Sequence, residues 1–177
     1  MMTRIRILWA TLLAILVLVN FLVFQKERIL STGSTVLLEL APRDPRSLLQ
    51  GDYMSLRYRL ARDIGRQLDT SITQDGYAVV TLDQNQVAQL QRITTDFPDL
   101  SQNEHALLFR VRGSLVKLAS DAYFFEEGTG RELSDAKYGE LKVNHQGKSV
   151  ITGLRDSEFK PLDQQLLINK SHEELQK

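Results

Sequence analysis

Residues 51–58 read Gly-Asp-Tyr-Met-Ser-Leu-Arg-Tyr, and their alternation decides how this part of the chain folds. Asp52, Met54, Leu56, Tyr58 and Leu60 share one face of an extended chain, while Tyr53, Ser55, Arg57 and Arg59 share the other. The first set is predominantly apolar and marks the core side of a strand. Gly51 supplies a turn conformation that other residues resist. Just upstream stands Pro42-Arg43-Asp44-Pro45-Arg46. Its two prolines each fix φ and remove a backbone donor, so the strand before them has to end.

The same reading extends outward. Val36, Leu38 and Leu40 alternate with Leu37, Glu39 and Ala41, and Tyr77, Val79 and Thr81 with Ala78, Val80 and Leu82. Leu107, Phe109 and Val111 oppose Arg110 and Arg112; Leu141 and Val143 flank Lys142; Val150 and Ile151 lead into Gly153-Leu154. A period of two predicts half-buried strands. Turn residues separate them at Gln74-Asp75-Gly76, Asp83-Gln84-Asn85, Phe97-Pro98-Asp99, Glu127-Gly128-Thr129-Gly130 and His145-Gln146-Gly147. The expected fold is mainly β, a mostly antiparallel sheet or barrel-like domain. Residues 61–69 admit a short helix or a loop, because Gly65 interrupts the helical stripe. Residues 86–94 carry Val87, Leu90 and Ile93 at helical spacing, but the turn before them favours a strand.

The chain has 177 residues, 22 basic and 22 acidic side chains, and no cysteine. A neutral balance makes no electrostatic case for nucleic acid. Without cysteine there is no disulfide, thiolate metal site, thiol catalysis or lipoprotein acylation. From Ile7 to Phe24 only Thr11 and Asn20 are polar. As a helix that run covers about 27 Å, close to the hydrocarbon thickness of a bilayer. Phe24-Gln25-Lys26-Glu27-Arg28 contains no small-residue cleavage site, so the run is expected to persist as an anchor. Arg4 and Arg6 precede it, and Lys26 and Arg28 follow, which makes the charge bias slight. A short basic tail ahead of a long folded domain puts the tail inside and the domain in the periplasm. The expected divisions are an anchor with its flanks at 1–29, a β-rich domain at 30–160 and a polar tail at 161–177.

Gly51-Asp52-Tyr53, Leu56 and Tyr58 match the motif of the GDYXXLXY family, and the chain resembles that family beyond the octapeptide. Leu38-Glu39-Leu40-Ala41-Pro42-Arg43-Asp44-Pro45-Arg46-Ser47-Leu48 is similar to the family's approach to its motif. Asp121-Ala122-Tyr123-Phe124-Phe125-Glu126-Glu127-Gly128 and Ala136-Lys137-Tyr138-Gly139-Glu140-Leu141 resemble its later blocks. The family comprises membrane-anchored bacterial proteins of unknown function. The resemblance implies a fold and an inner-membrane address, and it carries no catalytic residue or cofactor. Association with a polytopic membrane protein is what it implies for a partner.

The candidate binding residues are Arg46, Gly51, Asp52, Tyr53, Leu56, Tyr58, Glu126 and Glu127. Asp52 stands at the mouth of the core side and needs donors, from Arg43, Arg46 or its own turn, because an unpaired buried carboxylate is costly; a turn-stabilising role is its plain reading. Glu126 and Glu127 are adjacent and point apart in a Gly-bounded loop, so a solvated loop is favoured over acid–base work or a divalent cation. A hydrolase would need Asp52 to converge with Glu126 or Glu127. His105, His145 and His172 show no metal spacing. Arg43 occupies the place of the serine in signal-peptidase-like patterns, and Ser47 with Lys117 has no motif behind it. Tyr53 belongs to the polar face, where it either covers a neighbouring strand or, beside Arg57, anchors a partner. The expected function is therefore a membrane-anchored binding or assembly module.

Overall fold

The structure, a computed structural model, describes residues 2–41, 53–68, 74–113, 115–125 and 132–162. A long helix, α1 (Met2–Thr32), leads directly into β1 (Ser34–Glu39). There follow β2 (Tyr53–Ser55), helix α2 (Arg59–Gln67), β3 (Gly76–Leu82), β4 (Ala88–Thr94), β5 (Glu104–Arg112) and β6 (Leu115–Leu118). Then come β7 (Ala122–Phe124), a 3-10 turn (Glu132–Asp135), β8 (Tyr138–Val143) and β9 (Ser149–Arg155). Among the described residues the strands form three antiparallel sheets, ordered β1-β8-β9, β4-β3-β5-β6 and β2-β7. These described strands do not close into a barrel. The mainly β, mostly antiparallel fold is thus as the alternation indicated.

One core unites the sheets and α2. Val36 and Leu38 of β1, Val80 of β3, Phe109 of β5, Leu141 of β8 and Leu154 of β9 are buried in it together with Leu60 and Ile64 of α2. Burying each of the larger aliphatic or aromatic side chains contributes about 1.5–3 kcal/mol. Helix α2 covers most of the region read as helix or loop, residues 61–69, but begins two residues before it, at Arg59. Leu60 and Ile64 are one turn apart on its buried face. Gly65 is tolerated because it lies on the exposed side, with only the Val116 side chain near its missing Cβ. Residues 88–94 are the strand the preceding turn favoured.

Two strand readings need correction. Half-buried strands would expose one of two alternating sets, yet Leu37 is buried beside Val36 and Leu38, and Val79 beside Ala78 and Val80. Leu37 bridges to Val87 and its amide donates to the Gln86 carbonyl at 2.8 Å, so the β3–β4 turn covers it. Val79 sits on the central strand β3, between β4 and β5. Strands β6 and β7 were not read as strands at all. The turn at residues 42–46, the Glu127–Gly130 turn and the tail beyond Leu162 lie outside the described residues.

Helix α1 is long and apolar enough to cross a membrane from Arg4 to Thr32, and none of its apolar window is buried. Its last turn is different. Ile29 is buried, the Gly33 amide donates to the Ile29 carbonyl at 2.9 Å, and α1 packs on β8 and β9. A Cβ on Gly33 would lie 2.5 Å from the Ile29 carbonyl oxygen and 3.0 Å from the Val143 nitrogen. Glycine therefore permits the close approach of helix end to sheet.

Candidate functional site

The octapeptide is tied by backbone pairing to two distant parts of the chain and, through Leu40, to a third. Tyr53, Met54 and Ser55 pair with Phe124, Tyr123 and Ala122, so β2 lies along β7. The Leu56 amide donates to the Asp121 carbonyl at 2.7 Å, and the Ala41 amide to the Arg57 carbonyl at 2.7 Å. Tyr58 bridges to Leu40, whose amide donates to the Lys137 carbonyl at 2.9 Å. Glu39 holds Arg59 at 3.0 Å and Lys137 at 3.8 Å. The blocks at 38–41, 53–58, 121–125 and 136–141 are thereby one structural unit.

The alternation predicts a strand as far as Leu60, but β2 ends at Ser55, and Arg59 and Leu60 already belong to α2; the alternating burial outlasts the strand. Met54, Leu56, Tyr58 and Leu60 are all buried, while Tyr53, Arg57 and Arg59 are exposed. The Tyr58 ring lies over Gly139, where a Cβ would come within 3.1 Å of its Cε1. Its hydroxyl donates to the Ser120 carbonyl at 3.1 Å. Burial, and secondarily the negative charge of Asp121, hold the phenol far above its ordinary titration range, so Tyr58 acts as a neutral donor.

The outward face is chemically distinct. Tyr53 and Phe124 stand side by side, ring centroids 6.0 Å apart, and Phe124 is 76% exposed. The strand-covering role considered for Tyr53 is thus present, yet the pair itself is uncovered. Next to it a cleft of about 500 Å³ opens between α2 and β6, lined by Ser55, Arg57, Arg62, Arg66, Leu115 and Lys117 among others. Lys117 is paired with Asp121, and Arg66 has Asp63 at 3.7 Å. Arg57 and Arg62 have no ion-pair partner among the described residues.

Arg46, Gly51, Asp52, Glu126 and Glu127 lie outside the described residues, so the convergence a hydrolase requires falls there too. Of the other candidates, Leu56 and Tyr58 serve the core and Tyr53 the surface. Burial first, then the charge of His145, lowers the pKa of His105. Among the described residues no group of three His, Asp or Glu side chains is placed to hold a metal ion. Phe124, Arg62 and Arg66 were missed. Alternation within Tyr123-Phe124-Phe125 was the available signal, since it forces one ring of that run outward.

The matched region spans these blocks: residues 15–154 fit the GDYXXLXY protein family. The chain belongs to the GDYXXLXY family. No curated protein and no solved structure matches the chain significantly. The GDYXXLXY motif can now be divided by task. Leu56 and Tyr58 fill the core, the backbone of Tyr53 pairs with β7, and the side chains of Tyr53 and Arg57 face solvent.

Proposed function

We propose that this GDYXXLXY protein is a membrane-anchored binding module. In this reading α1 crosses the bacterial inner membrane once, through residues 7–24. The β domain stands in the periplasm and docks a polytopic membrane protein. The observation that carries the proposal is the uncovered Tyr53–Phe124 pair beside the basic cleft of Arg57 and Arg62. Aromatic and arginine side chains are the commonest anchors of protein interfaces, because they bury large area at modest entropic cost. Their position at the surface of a unit otherwise devoted to packing supports recognition over catalysis.

The test is photocrosslinking in native membranes from a benzoylphenylalanine placed at Tyr53. A single integral membrane protein should be captured, and Phe124→Ser should weaken its association roughly thirtyfold, the effect of losing one interface anchor of about 2 kcal/mol. A chain that remains uncrosslinked, or whose association is indifferent to Phe124→Ser, would overturn the reading.

A further inference from the structure

Although the chain is neutral as a whole, its charge is unevenly placed. On the outer face of β5 and β6, Arg110 pairs across the strands with Lys117, and Arg112 follows on the same face of β5. A hollow of about 510 Å³ lies there, lined by those three cations together with Lys26 of α1 and Lys148 of the β8–β9 turn. Asp75 answers Arg112, and Asp121 answers Lys117. Lys26, Arg110 and Lys148 have no ion-pair partner among the described residues.

The hollow's position relative to α1 gives that charge a direction. The β8–β9 turn, through Asn144, His145, Gln146 and Lys148, faces Phe21 and Phe24 at the end of the apolar run of α1, just before its charged turn. The turn is held rigidly. Asn144 Oδ1 accepts from the amides of Gln146 and Lys148, and the Leu108 amide donates to the Gly147 carbonyl at 2.9 Å. Gly147 adopts a φ of +77°, and a Cβ there would press to 3.2 Å on the β5 backbone. With Ile29 buried against the domain, no flexible linker separates anchor from sheet. A headgroup layer is about 5–8 Å deep. Groups level with Phe24 and Lys26 therefore lie within it when α1 spans a bilayer.

We infer that this hollow binds the phosphate of anionic phospholipid headgroups, with Lys26, Arg110 and Lys148 as the principal cations. The inference rests on the membrane-anchor reading of α1. It adds a lipid contact, which orients the domain on the bilayer; the hollow shares the Lys117–Asp121 wall with the cleft of the docking face, but its principal cations do not line that cleft.

Because the chain has no cysteine, Gln146→Cys accepts a single fluorophore in the full-length protein. The protein is reconstituted into phosphatidylcholine vesicles carrying acyl-labelled phosphatidylglycerol or, at the same fraction, acyl-labelled phosphatidylcholine. Energy transfer should report an enrichment of phosphatidylglycerol near Gln146 of about fivefold at low salt, the contribution of one basic side chain near an anionic surface. Sodium chloride should erase it as the Debye length shrinks, and Arg110→Glu with Lys148→Glu should bring the two lipids to parity. Equal transfer to both lipids in the unmodified chain, or a preference that survives both reversals and salt, overturns the lipid assignment. Loss of the preference to inorganic phosphate, but not to chloride of equal ionic strength, would make this a small-anion site and overturn it likewise. A chain that never enters the vesicles would overturn the anchor reading itself, and the lipid site with it.

Discussion

Tyr58 shows how one side chain can join two sequence blocks. Its ring is buried over Gly139, while its hydroxyl finds the Ser120 carbonyl, 62 positions along the chain. Tyr58→Phe keeps the packing and leaves that carbonyl unanswered, so it should cost about 1 kcal/mol, read from the urea midpoint. The pH dependence has a definite sign. The folded-state pKa is raised above the ordinary value of 10.0, so Tyr58 contributes its full stability below pH 10 and loses it as pH climbs through the higher folded value. Comparison of wild type and Tyr58→Phe from about pH 8 to about pH 11 should therefore show the wild-type advantage shrinking at the alkaline end. Alternation in the octapeptide marked Tyr58 as a core residue. Its partners were not legible, because nothing local in a sequence names a carbonyl sixty residues away.

At the scale of elements, the junction of α1 with β1 is the most constrained point. Gly33 has backbone atoms of two other elements against the position of its missing Cβ. Unlike the end of a flexible side chain, those atoms cannot step aside singly. Gly33→Ala should lower stability by about 1–3 kcal/mol, as overpacking does. It should also speed hydrogen exchange at the Gly33 amide, which bonds the last turn of α1. Strands were legible where they are long and alternate, as in β1, β3, β5 and β8. The four-residue β6 and three-residue β7 were not. So short a strand contains too few alternations to carry a period, and its strandness comes from the partner it pairs with. Helix α2 was legible only as an alternative, because Gly65 breaks the stripe and only packing shows that it falls on the exposed side.

For the whole molecule, the decisive relation is between the anchor and the domain. If α1 spans the inner membrane with the domain outside, alkaline washing should leave the protein in the membrane pellet. The Phe97→Cys variant should then react with an impermeant maleimide in spheroplasts before lysis. Phe97 suits the purpose because it is 51% exposed and its ring packs on Tyr77, not on the Tyr53–Phe124 pair. Release by the wash would contradict the anchor, and labelling only after lysis would contradict the orientation. The chain is neutral as a whole. That neutrality conceals a local basic hollow, because charge adds along a sequence without regard to where the fold places it.

What the sequence determined by itself is whatever is periodic or contiguous. The apolar run of α1, the alternating strands, the buried face of the octapeptide and the family pattern all repeat or persist over neighbouring residues, so local chemistry suffices to read them. The tertiary structure alone decided which blocks meet. It laid β2 along β7, set Tyr58 over Gly139, left Tyr53 and Phe124 together at the surface, and gathered Lys26, Arg110 and Lys148 around one hollow. These are contacts between residues far apart in the chain. Their geometry is fixed by the packing of a shared core, which is a property of the whole fold and not of any one segment.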